Sequence, residues 1–194
     1  MSTTSTPATP ASTSGLPLRP GRWALDQAHS TVTFSIRHLG IAKVRGRFSR
    51  FDADVVVGER PETSRVTATV ELDSVDTANP DRDAHVRAED ILDVARRPTM
   101  TFRSTAVTGA DDRWTVAGEL TIGELTRPFA LDVELGGIAD FPLGGARHAG
   151  LTAIGELRRS DYGVAPTFPA PVLGEVVKVE LDLELLEPEG SDGR

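Results

Sequence analysis

From Thr31 to Arg37 the chain alternates, with Val32, Phe34 and Ile36 apolar and Thr31, Thr33, Ser35 and Arg37 polar. A period of two gives one apolar and one polar face, so this segment predicts a half-buried strand. The pattern returns with Val66, Ala68, Val70 and Leu72, with Trp114, Val116, Leu120 and Ile122, and with Phe129, Leu131, Val133 and Leu135. Its longest run sets Val177, Val179, Leu181, Leu183 and Leu185 against Lys178, Glu180, Asp182 and Glu184. Phe51 to Val57, Thr99 to Val107 and Gly150 to Ser160 are weaker strands, which brings the prediction to about eight.

One segment departs from this period. Asn79-Pro80-Asp81 supplies a cap, a proline at the first helical position and an acid near the positive helix end. A helix is predicted to follow, with Ala84, Ala88, Ile91, Leu92 and Ala95 on one face and Pro98 stopping the run.

Short turns such as Ala110-Asp111-Asp112 and Gly123-Glu124 make the neighbours antiparallel, and every apolar face needs another to meet. A sheet closed on itself satisfies both demands. The predicted fold is therefore all-β and mainly antiparallel, an eight-stranded barrel with one short helical segment. A barrel of about eight strands is either filled by side chains or encloses one small ligand, and the pattern leaves both open.

The 194 residues suit a single domain. Residues 1–20 read as a disordered Ser/Thr/Pro-rich tail and 188–194 as a flexible C-terminal one, leaving 21–187 as the barrel domain. The start has no basic n-region or apolar h-region, and no stretch approaches a membrane-spanning length. With no cysteine and no signal, the cytoplasm is the expected compartment. A net charge of −8 opposes nucleic acid and anionic membrane surfaces as partners.

Candidate chemistry is sparse. Asp26, His29 and Ser30 are the residue types of a hydrolase triad, but neighbours on a strand face opposite ways and no G-x-S-x-G elbow is present. Their simpler reading is backbone bonding at a strand entry. His29, His38, His85 and His148 lack any metal-binding spacing, so no metal site is expected. Asp52 and Asp54 share a strand face and Asp111-Asp112 sits in a turn, both reading as solvated. Gly136-Gly137 and Gly144-Gly145 read as hairpin punctuation. Arg45 and Arg47 share a face, as on a solvated edge strand. Arg159, at a strand end, suits an internal salt bridge or an anionic headgroup.

Several segments together resemble the YceI-like family. They are Trp23-Ala-Leu-Asp26-Gln-Ala-His29-Ser30 through Phe34 to His38, Val44-Arg-Gly46-Arg-Phe48, Arg82-Asp83-Ala-His85-Val-Arg87, Pro98-Thr-Met-Thr-Phe102, Gly118-Glu-Leu-Thr-Ile-Gly123 with Thr126-Arg127-Pro128, and Arg159-Ser-Asp161-Tyr-Gly163. The resemblance runs in order from Gly21 to Glu187. It implies an extended lipocalin-like barrel with a helix against it and an elongated apolar cavity. It also implies an isoprenoid lipid as ligand, an isoprenoid quinone or a polyprenyl phosphate, bound without chemistry and with no cofactor. A homodimer is compatible with it.

On this reading Phe34, Ile36, Phe102, Leu120, Phe129, Leu131, Val179 and Leu181 point inward, and His38, Arg159 and Tyr162 stand near a mouth. The competing readings are an enzyme acting on a small apolar substrate in the same barrel, with His38, His85 or Asp26 as acid or base, and a packed stress-related module acting through a protein partner.

Overall fold

The computed structural model describes residues 16–188. Eleven strands run through them: β1 (Gly21–Leu25), β2 (Thr31–His38), β3 (Ala42–Phe48), β4 (Phe51–Val57), β5 (Arg65–Glu71), β6 (Val75–Asp76), β7 (Thr99–Ala110), β8 (Arg113–Ile122), β9 (Leu125–Asp140), β10 (Arg147–Arg158) and β11 (Leu173–Leu186). One α-helix, α1 (Pro80–Arg87), follows β6. All pairings are antiparallel.

The ring runs β1-β4-β5-β7-β8-β9-β10-β11 and returns to β1 through Ala24 opposite Leu186 and Leu25 opposite Leu185. It is a closed eight-stranded barrel. β2 continues the course of β1 along β11, from Thr31 opposite Asp182 to His38 opposite Leu173, and β3 and β6 extend the sheet from there. The end carrying the β2–β3 hairpin is called lower here, and the end carrying Gly21 and the β9–β10 turn upper.

All eight strands expected from the alternation are present, and β1, β3 and β6 are additional. Each has a reason for escaping notice. β1 contributes one fully buried side chain, Trp23; β3 places Gly46 in its apolar series; and β6 has two residues. Arg45 and Arg47 do lie exposed on one face of β3. The turns at Asp111 and Gly123 close their hairpins with positive φ, 57° and 62°.

The helix is shorter than expected and is not amphipathic. Asn79 caps it through Arg82 N–H at 2.9 Å, but it ends at Arg87, and Asp93 adopts a left-handed φ of 51° in the turns that follow. Ala84 and Ala88 are exposed, and the buried helical residue is Asp83. Polar bonds dock α1. Asp83 accepts from Thr77 N–H at 2.8 Å and from its hydroxyl at 2.5 Å, and the Arg87 guanidinium donates to the carbonyls of Asp73 and Val75 at 2.7 and 2.6 Å.

Two bulges explain why parts of the alternation looked weak. An extra residue between Ser104 and Ala106 flips the parity of β7, so Met100 and Phe102 are followed inward by Val107. Gly136-Gly137 is not a hairpin turn but a bulge within β9 opposite Gly150-Leu151, with Gly137 at φ 148°. Gly144-Gly145 does lie in the β9–β10 turn.

Three phenylalanines lie against glycines on neighbouring strands. A Cβ at Gly46 would stand 2.5 Å from the Phe34 ring, one at Gly118 2.6 Å from Phe102, and one at Gly155 2.5 Å from Phe129. The Phe102 and Phe129 rings thereby lie along the wall of the lumen, and Phe34 packs on Phe48 below it. Phe102 and Phe129 meet edge to face at 6.1 Å, an arrangement favourable for aromatic pairs.

Gly155→Ala is expected to destabilise the barrel by about 1–3 kcal/mol, the usual cost of overpacking, because the added methyl would also stand 2.9 Å from the Ala130 carbonyl oxygen. Urea unfolding measures this, and an unchanged midpoint would show that Phe129 is free to move aside.

Candidate functional site

The alternating faces enclose an apolar chamber of about 170 Å³. Its wall is built from every ring strand, including Val55 of β4, Val66 of β5, Phe102 of β7, Leu120 of β8, Leu131 of β9, Ala153 of β10 and Leu181 of β11. Among the described residues that line it, all but Asp52 are apolar, and Asp52 sits between Phe51 and Ala53 with its side chain on the outer face of β4. A second chamber of about 80 Å³ lies above and shares Val55, Val66, Val116, Val133, Leu151 and Leu185 with the first. Its remaining wall includes Leu16, Pro17 and Leu18.

Residues 16–20, read as part of a tail, therefore pack on the barrel at Leu16 and Leu18. Residues 1–15 and 189–194 lie outside the described residues, but Leu18 is 8% exposed and Leu16 packs against the core. A larger cleft of about 600 Å³, lined by Arg96, Arg97, Thr121 and Glu124 among others, shares no residue with either chamber. Thr101 and Thr121 belong to the strand face opposite Phe102 and Leu120, so this cleft lies outside the barrel.

The β1–β4 ladder ends at Ala24 opposite Asp54, below which Phe51, Asp52 and Ala53 have no partner in β1. Gln27 reaches across to the Phe51 carbonyl at 2.8 Å. Asp52, exposed, therefore marks an edge of the chamber at an incomplete seam in the wall.

Of the residues expected inside, Phe102, Leu120, Phe129, Leu131, Val179 and Leu181 line the chamber. Phe34 and Ile36 do not; Phe34 packs on Phe48 at 5.4 Å in the lower part. His38 is exposed at the end of β2. Tyr162 is 2% exposed within the core, where burial pushes its phenol above the ordinary range.

Arg159 is 3% exposed and spends its guanidinium on the protein itself. It donates to the carbonyls of Gly174, Val164, Ala165, Phe168 and Leu173 at 2.5 to 3.2 Å, with Glu175 at 3.6 Å. Guanidinium has five N–H groups, so a headgroup would find none free. Arg159 fastens the segment between β10 and β11 over the lower end.

Sequence reasoning missed Ala53 at the seam, Met100 and Leu151 in the wall, and the Leu16–Leu18 segment. Met100 and Leu151 sit beside neighbours already assigned to strands, so their parity was the available signal. Leu16 and Leu18 gave none, since a proline-rich start without periodicity looks like solvated chain.

Asp26, His29 and Ser30 form no triad. Asp26 accepts from the Ala28 and His29 amides at 2.9 and 3.3 Å and meets His29 Nδ1 at 2.9 Å, whereas Ser30 Oγ accepts from the Glu184 amide at 3.0 Å. They stitch the β1–β2 junction to β11. Glu184 in turn bonds His148. Ligand atoms of Asp26, His29 and Glu184 all lie within 4.8 Å of one another. The fold thus assembles a metal-capable trio that spacing did not predict, because its members come from opposite ends of the chain.

His85, the other acid–base candidate, pairs with Asp90 at 3.1 Å. Neither histidine nor Asp26 lines the chamber. What the chamber offers a ligand is apolar surface.

A family model for the YceI-like domain matches residues 23–185, and the chain belongs to that family. A UPF0312 protein from Pseudomonas aeruginosa is 37% identical over 137 residues, covering 70% of this chain and 71% of its own. Protein YceI from Salmonella arizonae matches to the same extent. Among solved structures, a Campylobacter jejuni YceI protein superposes with a TM-score of 0.71 at 29% identity, covering 85% of this chain and 97% of that one. A polyisoprenoid binding domain from Saccharophagus degradans shares the fold, with a TM-score of 0.60 at 14% identity over 88% of this chain and 100% of its own. Among the described residues, no helix is long and apolar enough to cross a membrane.

Arg159→Lys should destabilise by about 3 kcal/mol or more, because lysine's single ammonium leaves several buried carbonyls without donors. Thermal unfolding tests it, and a near-native transition would mean the loop carbonyls find water.

The hydrogen bond to Asp26, then the charges of Asp26 and Glu184, raise the His29 pKa above its ordinary 6.5. Chiefly the bond from His29 lowers the Asp26 pKa below its ordinary 3.8. The pair therefore supports folding between these values. The His29 contribution is complete below pH 6.5 and fades as pH rises through its folded value. The Asp26 contribution is lost as pH falls through its own folded value. Both groups are solvent-accessible, so the effect is small and screened by salt. The Tm advantage over His29→Gln should be greatest in mildly acidic buffer and shrink toward alkaline pH; an advantage independent of pH would assign His29 a packing role.

Proposed function

We propose that this protein binds, carries or stores an isoprenoid lipid in the barrel chamber, without chemistry on it, in the cytoplasm. The observation that supports this most directly is the wall itself, apolar at every position except Asp52. A prenyl chain has no polar group to satisfy, and each buried methylene contributes roughly 0.8 kcal/mol. The chamber, about 170 Å³, is smaller than the roughly 300–1,000 Å³ of pockets for drug-sized ligands. A slim flexible chain suits it better than a bulky ring. The polyisoprenoid binding of the Saccharophagus degradans domain gives the same direction.

The headgroup has its exit at the incomplete seam between β1 and β4. A quinone and a polyprenyl phosphate share the prenyl chain that the apolar wall would hold. Among the described residues, no acid–base pair or nucleophile faces the chamber, which supports carriage over turnover.

Native mass spectrometry of the purified protein, followed by lipid extraction, should reveal a prenyl lipid in stoichiometric amount. A protein that carries none and takes up neither added quinone nor polyprenyl phosphate would sink the proposal. Leu131→Trp, which fills the lumen beside its strand neighbour Val116, should weaken quinone binding at least about tenfold, while overpacking costs only about 1–3 kcal/mol of stability. Unchanged affinity in the folded variant would place the ligand elsewhere.

A further inference from the structure

The lower chamber ends at Val133, Leu151 and Leu185, but the apolar lumen continues upward into the space that Leu16–Leu18 help to wall. Leu16 packs against both apolar clusters, and Leu18 is nearly buried in the upper one beside Trp23 and Leu185. The segment belongs to no strand. Just beyond it, the Arg19 carbonyl accepts from Trp23 Nε1 at 2.9 Å. Leu16 and Leu18 meet the barrel through apolar contact, the same interaction that would hold a prenyl chain.

The upper end is thus closed by a piece of the chain that resembles a ligand in chemistry, while at the other side of the chamber Phe51–Ala53 lack a partner in β1. A short prenyl chain entering at the seam ends in the lower chamber. A longer one has to continue past Leu151 and Leu185, where it meets Leu16 and Leu18.

We propose that Leu16–Leu18 act as a displaceable end-plug that sets the length of isoprenoid chain the barrel accepts, by competing with the distal isoprene units for the upper chamber. This rests on the isoprenoid-binding reading. It adds that discrimination among ligands is by chain length, imposed by the protein's own N-terminal segment. Leu18 has a second role in the upper cluster, whereas Leu16, half-buried, gives the finer control.

The test uses the full chain and two probes, farnesol and the nine-isoprene alcohol solanesol, each titrated in mild detergent. The readout is the ratio of solanesol to farnesol affinity. Leu16→Ser combined with Leu18→Ser should raise that ratio at least about tenfold, and Leu16→Trp, which enlarges the plug, should lower it by a similar factor. If the double variant fails to fold, Leu16→Ala replaces it, with a rise of the same sign. A ratio unmoved in the folded variants, with both alcohols still bound, would overturn the plug and leave the isoprenoid reading intact. A wild-type protein that binds neither alcohol would overturn both.

Discussion

β11 is the strand on which closure depends. On one side it pairs with β10 along eleven positions from Arg158–Val176 to His148–Leu186, and on the other it holds β2 and then β1. Because β1 also pairs with β4, two residue pairs at its end convert an open sheet into a ring. Each alternating strand then turns its apolar face to a common lumen. The Asp26, Ser30 and Glu184 bonds matter for this reason. They hold the break between β1 and β2 against β11, so that one strand can serve both the ring and the β3 extension.

A closed barrel of this size is ordinarily at the limit between filled and hollow. Here the balance is tipped by glycine placement. Phe102 and Phe129 would cross the lumen if the neighbouring wall carried side chains, but Gly118 and Gly155 let the rings lie against it. The space gained is narrow and apolar. The ends are treated differently: the lower one is fastened by polar bonds from Arg159, Arg87 and Asp83, while the upper one is filled by the apolar side chains of Leu16 and Leu18. Polar fastening is directional and hard to exchange, whereas apolar filling yields to any ligand that buries comparable area.

The six chamber residues found by parity, Phe102, Leu120, Phe129, Leu131, Val179 and Leu181, lie on long strands whose pleat runs unbroken through the ring. Phe34 and Ile36 show the same alternation but lie further down β2 than Val32, which does line the chamber. Periodicity reports which residues share a face; it carries no information about which part of a curved sheet encloses the space. Arg159 marks a different limit. A buried arginine bonded to carbonyls and one poised for a headgroup look alike in sequence, and only the course of residues 164–174 around it separates them.

The sequence by itself determined the strand faces, the hairpin turns at Asp111 and Gly123, the capped helix start at Asn79 and, through its motifs, membership of the YceI-like family. These are local properties, set by side-chain period and backbone preference within a few residues. The tertiary structure alone decided the closure through β1, the parity flips at the bulges, the convergence of Asp26, His29 and Glu184, and the burial of Leu16 and Leu18. Each of those depends on contacts between segments far apart in the chain, and their energy exists only once the ring has formed.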